Sequence, residues 1–95
     1  MNEHDFAAWL IDNTYAHTTL NAGVTTLRVH YFGSGDRETY QACAPAGGRV
    51  PRVGWYVTQA VGDATPRASV GFETVDQARY DARRAADATG LARVA

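Results

Sequence analysis

The sequence predicts a single α+β domain of order α-β-β-β-β-α. It comprises an antiparallel meander sheet with the C-terminal Ala-rich helix, and with it the N-terminal helix, packed on one face. Three observations carry this expectation. Several short runs alternate apolar with polar residues, clusters of Gly, Pro, Asn and Asp separate them, and the chain closes on an Ala stripe at helical spacing. At 95 residues the chain fits one domain spanning 1–95.

The first element is a helix over 3–13. Asn2 suits its N-cap, Glu3 and Asp5 favour the positive end of the helix dipole, and Phe6, Trp9 and Leu10 form a short, heavy apolar stripe. Residues 13–23 are rich in Thr, Asn and Ala without a clear period, so they are expected to be mostly connection. A first strand over 24–32 is β-branched and aromatic, with Leu27, Val29 and Tyr31 on one face and Arg28, His30 and Phe32 on the other.

Gly33, Ser34, Gly35 and Asp36 have the chemistry of a tight hairpin loop, which would lead into a second strand over 37–44. The stretch 45–52 holds two prolines and two glycines and reads as a loop. Alternation resumes over 53–61, Gly62 and Asp63 supply a turn, and a fourth strand over 67–73 sets Ala68, Val70 and Phe72 on its apolar face.

Thr74 and Gln77 then form a capping box, in which each side chain satisfies a free backbone N–H at the helix start. The helix over 75–89 presents Val75, Ala78, Ala82, Ala85, Ala86 and Thr89 as one stripe, and Gly90 suits a left-handed C-terminal cap with Leu91 folding back.

Composition narrows function mainly by exclusion. Nine basic against ten acidic residues give a net charge of -1, so no global field attracts a nucleic acid or an anionic membrane. All nine basic residues are Arg, a pattern expected from codon composition. The single Cys43 has no internal disulfide partner, and no run of about 18 apolar residues exists. The acidic start is unlike a signal peptide, so the expected location is cytoplasmic.

Chemical signatures are weak. His4, His17 and His30 lack metal-ligand spacing, Cys43 has no identifiable base, and Ser34 lies outside a Gly-x-Ser-x-Gly elbow. The Gly33–Gly35 pair is not followed by an expected helix that could hold phosphate. No enzyme activity, cofactor or metal is therefore expected. The face opposite the closing helix gathers Arg28, His30, Phe32, Thr39, Gln41, Tyr56, Thr58, Arg67 and Ser69, an aromatic and polar mixture suited to recognition. Arg49 and Arg52 add a basic loop.

Two resemblances follow from these segments. The order helix, strands, helix with Ala78, Ala82, Ala85 and Ala86 is similar to double-stranded RNA-binding domains, whose last helix starts Lys-Lys-x-Ala-Lys where this chain has Val75-Asp76-Gln77-Ala78-Arg79. The stretch 55–86, with Gly71-Phe72-Glu73-Thr74 entering the helix, resembles AP2 and integrase arm-type DNA-binding domains. That resemblance implies a nucleic-acid role for Arg67 and Arg28.

The sequence does not name a function. The leading expectation is a non-enzymatic interaction module, a small bacterial or mobile-element regulator or inhibitor that binds a protein or itself as a homodimer. Its contacts would be Arg28, His30, Phe32, Tyr56, Arg67, Arg49 and Arg52. The alternative is a sheet-based nucleic-acid binder that stacks bases on Phe32 or Tyr56. No membrane partner is expected.

Overall fold

A computed structural model describes the backbone over 3–43 and 49–94, and side chains over 6–43 and 49–89. The fold is α+β: α1 (Glu3–Asn13), β1 (Ala16–Ala22), β2 (Thr25–Phe32), α2 (Ser34–Cys43), β3 (Gly54–Val61), β4 (Arg67–Ala68) and α3 (Val75–Val94). The strands form one sheet in the order β1-β2-β3-β4, with every pairing antiparallel. Four strands flanked by a first and a last helix agree with the expected class, but one strand is drawn from a different segment.

α1 occupies the expected span and buries Phe6, Ala7 and Leu10. Its end is closed by side chains. The Thr14 hydroxyl and backbone N–H both donate to the Leu10 carbonyl, at 2.7 and 3.0 Å, and the Asn13 amide donates to the Trp9 carbonyl at 3.0 Å. Carbonyls that the helix itself leaves unpaired are thus satisfied. The Asn2 cap lies outside the described residues.

The segment expected to be connection contains β1, a half-exposed edge strand that pairs with β2 from Ala22↔Thr25 to Ala16↔His30 with a bulge at His17. The Gly23-Val24 turn joins the two strands, and Gly23 has φ of +66°. A glycine at the first central position of a two-residue hairpin turn is what that geometry requires. β1 alternates Thr and Asn with Leu and Ala, so its apolar period is too faint to stand out in the sequence.

Residues 37–44 were expected to be a strand, and the structure corrects this: Ser34–Cys43 is a helix. Gly33 through Asp36 is its start, not a hairpin. The Asp36 carboxylate accepts the Gly33 N–H at 3.0 Å, and the Arg37 N–H reaches the Gly33 carbonyl at 2.9 Å. Thr39 is the lone β-branched residue of the segment, whereas Arg37, Glu38, Gln41 and Ala42 form helices well. Tyr40, fully buried, fastens the helix to the core. The expected end of that strand at Ala44, and the part of the 45–52 loop up to Gly48, lie outside the described residues.

The fourth strand is shorter than the expected 67–73. Thr58↔Ala68 and Gln59↔Arg67 pair, the ladder lapses, and pairing returns at Trp55↔Phe72 displaced by one residue. This displacement is a bulge. Within it Ser69 takes the ladder's place, its backbone N–H donating to the Val57 carbonyl at 2.8 Å and its hydroxyl accepting the Val57 N–H at 2.9 Å. One inserted residue moves later side chains to the opposite face. Accordingly Ala68 packs on one side of the sheet and Phe72 on the other, and Val70 is exposed, so the three do not share the one apolar face expected of them.

The capping box forms as expected. The Thr74 hydroxyl accepts the Gln77 N–H, and the Gln77 carbonyl oxygen accepts the N–H groups of Glu73 and Thr74, all at 3.1 Å. α3 does not stop at Gly90 but runs to Val94. Ala78 and Ala82 are fully buried against Leu27, Val29 and Val57.

The sheet is covered on both faces. α3 lies on the side of Leu27, Val29 and Val57, while Phe6 and Leu10 of α1 and Tyr40 of α2 pack on the side of Phe32 and Tyr56. The two terminal helices therefore take opposite faces, and the strand face expected to be open is the interior of a second core.

Candidate recognition surface

The covering by α1 and α2 decides the fate of the expected contact residues. Phe32 and His30 have no exposed surface, and Tyr56 and Thr58 are buried beside them. Phe6 meets the rings of Phe32, Tyr40 and Tyr56 edge-on at 5.0, 5.4 and 4.9 Å. Such T-shaped contacts suit the ring quadrupoles and mark a packed interior. Thr39 and Gln41, once expected on the same face, are exposed on α2.

His30 bridges three elements. Its Nδ1 lies 2.9 Å from the Thr14 hydroxyl and its Nε2 2.9 Å from the Thr58 hydroxyl. The Thr14 proton is committed to the Leu10 carbonyl, so that hydroxyl accepts from Nδ1–H and leaves Nε2 to accept from Thr58. Burial lowers the imidazole pKa to about 4, assisted by the positive Arg28 and by His17. This histidine is neutral and structural near pH 7.

Tyr56 and Arg52 also serve the fold. The Tyr56 hydroxyl donates to the Arg52 carbonyl at 2.6 Å, and the Arg52 guanidinium donates to the Gly71 carbonyl at 2.8 Å. A Cβ at Gly71 would meet the Tyr56 hydroxyl oxygen at 3.0 Å and Arg52 Nε at 3.2 Å. A side chain at position 71 would therefore press on both of these groups. Burial raises the Tyr56 pKa, against the lowering influence of Arg52 and Arg37. Arg28 is half-buried in β2, Arg49 and Arg67 are exposed, and Arg67 sits in β4 opposite Gln59. The seven residues are thus split between a core, a loop junction and a sheet edge rather than joined in one surface.

A different group is gathered at the surface. Tyr31 of β2 and Trp55 of β3 form a cross-strand pair, their rings 4.9 Å apart. The His17 ring lies 4.9 Å from Trp55, and Tyr15 packs 5.0 Å from His17. Tyr15 is 75% exposed and Tyr31 42% exposed, while Trp55 roots the row in the core beneath α3. Sequence reasoning missed this row because two of its members depend on β1. The Tyr31–Trp55 pair was implicit in the alternation, but only the register makes the two residues neighbours.

Next to this row, Arg79 of α3 reaches across β1, its Nε donating to the Thr18 hydroxyl at 2.9 Å. A cleft between α3 and β3, lined by Leu27, Val57, Gln59, Arg67, Asp81 and Ala85, encloses about 190 Å³. That is below the roughly 300 Å³ at which small-molecule pockets usually begin. Among the described residues no three His, Cys, Asp or Glu side chains converge as a metal site, and no helix is long and apolar enough to cross a membrane.

Comparison with family models, curated proteins and solved structures returns no match. The element order also departs from the one behind the resemblance to double-stranded RNA-binding domains, because α2 interrupts the strands.

Proposed function

We propose that this chain is a non-catalytic interaction module that recognises a protein, in the manner of a small regulator or inhibitor, through the row Tyr15, His17, Trp55 and Tyr31. The observation that supports this reading is the row itself: four adjoining rings, the outer two well exposed. Aromatic side chains bury large area at small entropic cost and are enriched at protein interfaces, particularly at their energetic centres. A protein is favoured over a nucleic acid because no arginine belongs to the row and the chain's net charge is -1.

The test is site-specific photo-crosslinking in the native host, with a photoreactive phenylalanine at position 15 or 31 and a control at Glu73. Discrete protein adducts from positions 15 and 31, absent from the control and lost on Trp55→Ala in a chain that still folds, are expected. Adducts dominated by nucleic acid, or none at either position, would overturn the reading.

A further inference from the structure

The cleft between α3 and β3 owes its shape to the edge of the sheet. Leu27, Gln59 and Arg67 pair in one row across β2, β3 and β4, so their side chains share the face on which α3 lies. The row passes from a fully buried leucine to a half-buried carboxamide and an exposed guanidinium. In the neighbouring row Val57 pairs with Val29 on one side and is met on the other by Ser69, whose hydroxyl is turned onto the Val57 N–H. The facing helix presents Ala85. A serine folded onto the backbone and an alanine above it leave a gap of about 190 Å³ that no large side chain fills.

Asp81, one turn before Ala85, stands half-buried on the α3 wall of this gap. Neither its carboxylate nor the Gln59 carboxamide makes a hydrogen bond or ion pair among the described residues. A partly desolvated carboxylate beside an apolar floor calls for a donor. The cleft thus has an acid on its helical wall, a guanidinium and a carboxamide on its strand wall, and Leu27, Val57 and Ala85 as its apolar lining.

We infer that this cleft binds a small aliphatic α-amino acid, with its ammonium group on Asp81, its carboxylate towards Arg67 and Gln59, and its side chain on Leu27 and Val57. Opposite charges on the two walls suit a zwitterion, whereas a simple amine or a simple carboxylate leaves one wall unmatched. Volume sets the size. At about 30 Å³ per water the cleft equals roughly six waters, too little for a nucleotide and enough for the roughly eight non-hydrogen atoms of valine. The site goes beyond the proposed function and does not rest on it, because Gln59 lies four residues along β3 from Trp55, roughly 13 Å from the aromatic row.

Titration of the isotope-labelled full chain with L-valine, followed by amide NMR shifts, tests the inference. Saturable shifts centred on Val57, Gln59, Ser69 and Asp81 are expected, with a Kd of about 1 mM, a strength within reach of so few atoms. Valinamide, which lacks the carboxylate, and isovalerate, which lacks the ammonium group, should each bind weaker by roughly tenfold or more. Asp81→Asn should weaken L-valine to the same degree with the rest of the spectrum unchanged, and Ala85→Leu, which fills the gap, should abolish the shifts.

No saturable shift at tens of millimolar L-valine, equal binding of either singly charged analogue, or binding indifferent to Asp81→Asn would each overturn the site. Should Ala85→Leu fail to fold, the analogues and Asp81→Asn decide. Crosslinking at positions 15 and 31 is read separately, so loss of the cleft site leaves the proposed function standing, and the reverse holds as well.

Discussion

Under α1 and α2 the core is made of rings, with Phe6, Phe32, Tyr40 and Tyr56 meeting nearly perpendicular at centroid distances from 4.9 to 6.0 Å. Under α3 the contact is made by Ala78 and Ala82 against Leu27, Val29 and Val57. The first face holds its helices by interlocking a few large side chains, so the removal of one leaves a large void. The second brings a helix close to the sheet through small side chains, so its weakness is added volume rather than lost volume. The aromatic face spends its rings on stability, whereas the exposed rings of Tyr15 and Tyr31 belong to the row rooted at Trp55 in the other core.

The strongest way to break this contrast is Phe32→Ala. The cavity left among Phe6, Trp9, Tyr40 and Tyr56 should cost about 3–5 kcal/mol in denaturant unfolding. A loss below about 1 kcal/mol would mean that the ring cluster is not the principal core.

Acid is the next probe, because His30 sits on the aromatic face alone. Its folded pKa of about 4 lies below the ordinary 6.5, so between these values the unfolded chain binds the extra proton. The contribution is complete above about pH 6.5, is lost as pH falls towards 4, and amounts to about 3 kcal/mol. Urea titrations from pH 7.5 to 4 should show this slope in the native chain, and a shallower one in His30→Gln by about that difference.

The smallest effect should come from the opposite face. Ala82→Leu adds volume where α3 meets the strands and should destabilise by about 1–3 kcal/mol, measured by the same unfolding transition. Indifference to the added leucine would show α3 to be less closely seated than its alanines imply.

The elements that were legible in the sequence are those whose signals are local. β2 and β3 are rich in β-branched and aromatic residues, α1 carries Phe6 and Leu10 one turn apart, and α3 begins at a reciprocal cap that four residues specify. β1 and α2 were not legible. β1 is stabilised by pairing with β2, and its own residues alternate polar with weakly apolar groups. α2 has Tyr40 as its single fully buried large residue, and its Gly-Ser-Gly-Asp start has the composition of a hairpin while its carboxylate caps a helix.

The same division governs the candidate site. Alternation correctly set Arg28, His30 and Phe32 on the side of β2 opposite Tyr31, but which side stays open depends on where α1 and α2 pack. Mistaking α2 for a strand removed one of the elements that cover Phe32, and leaving β1 as connection hid both the bulge that brings His17 to Trp55 and the uncharged edge beside it. The bulge after Ala68 likewise moved Phe72 to the face opposite Ala68, because one added residue reverses the later side chains.

By itself the sequence determined the α+β class, the antiparallel pairing of β3 with the segment after Gly62 and the start of α3, since hydrophobic period, turn residues and caps act within a few residues of one another. Only the tertiary structure decided which face of the sheet is interior, which strand forms the open edge and which rings remain at the surface. Those outcomes depend on contacts between segments far apart in the chain, where burial in a shared core outweighs local preference.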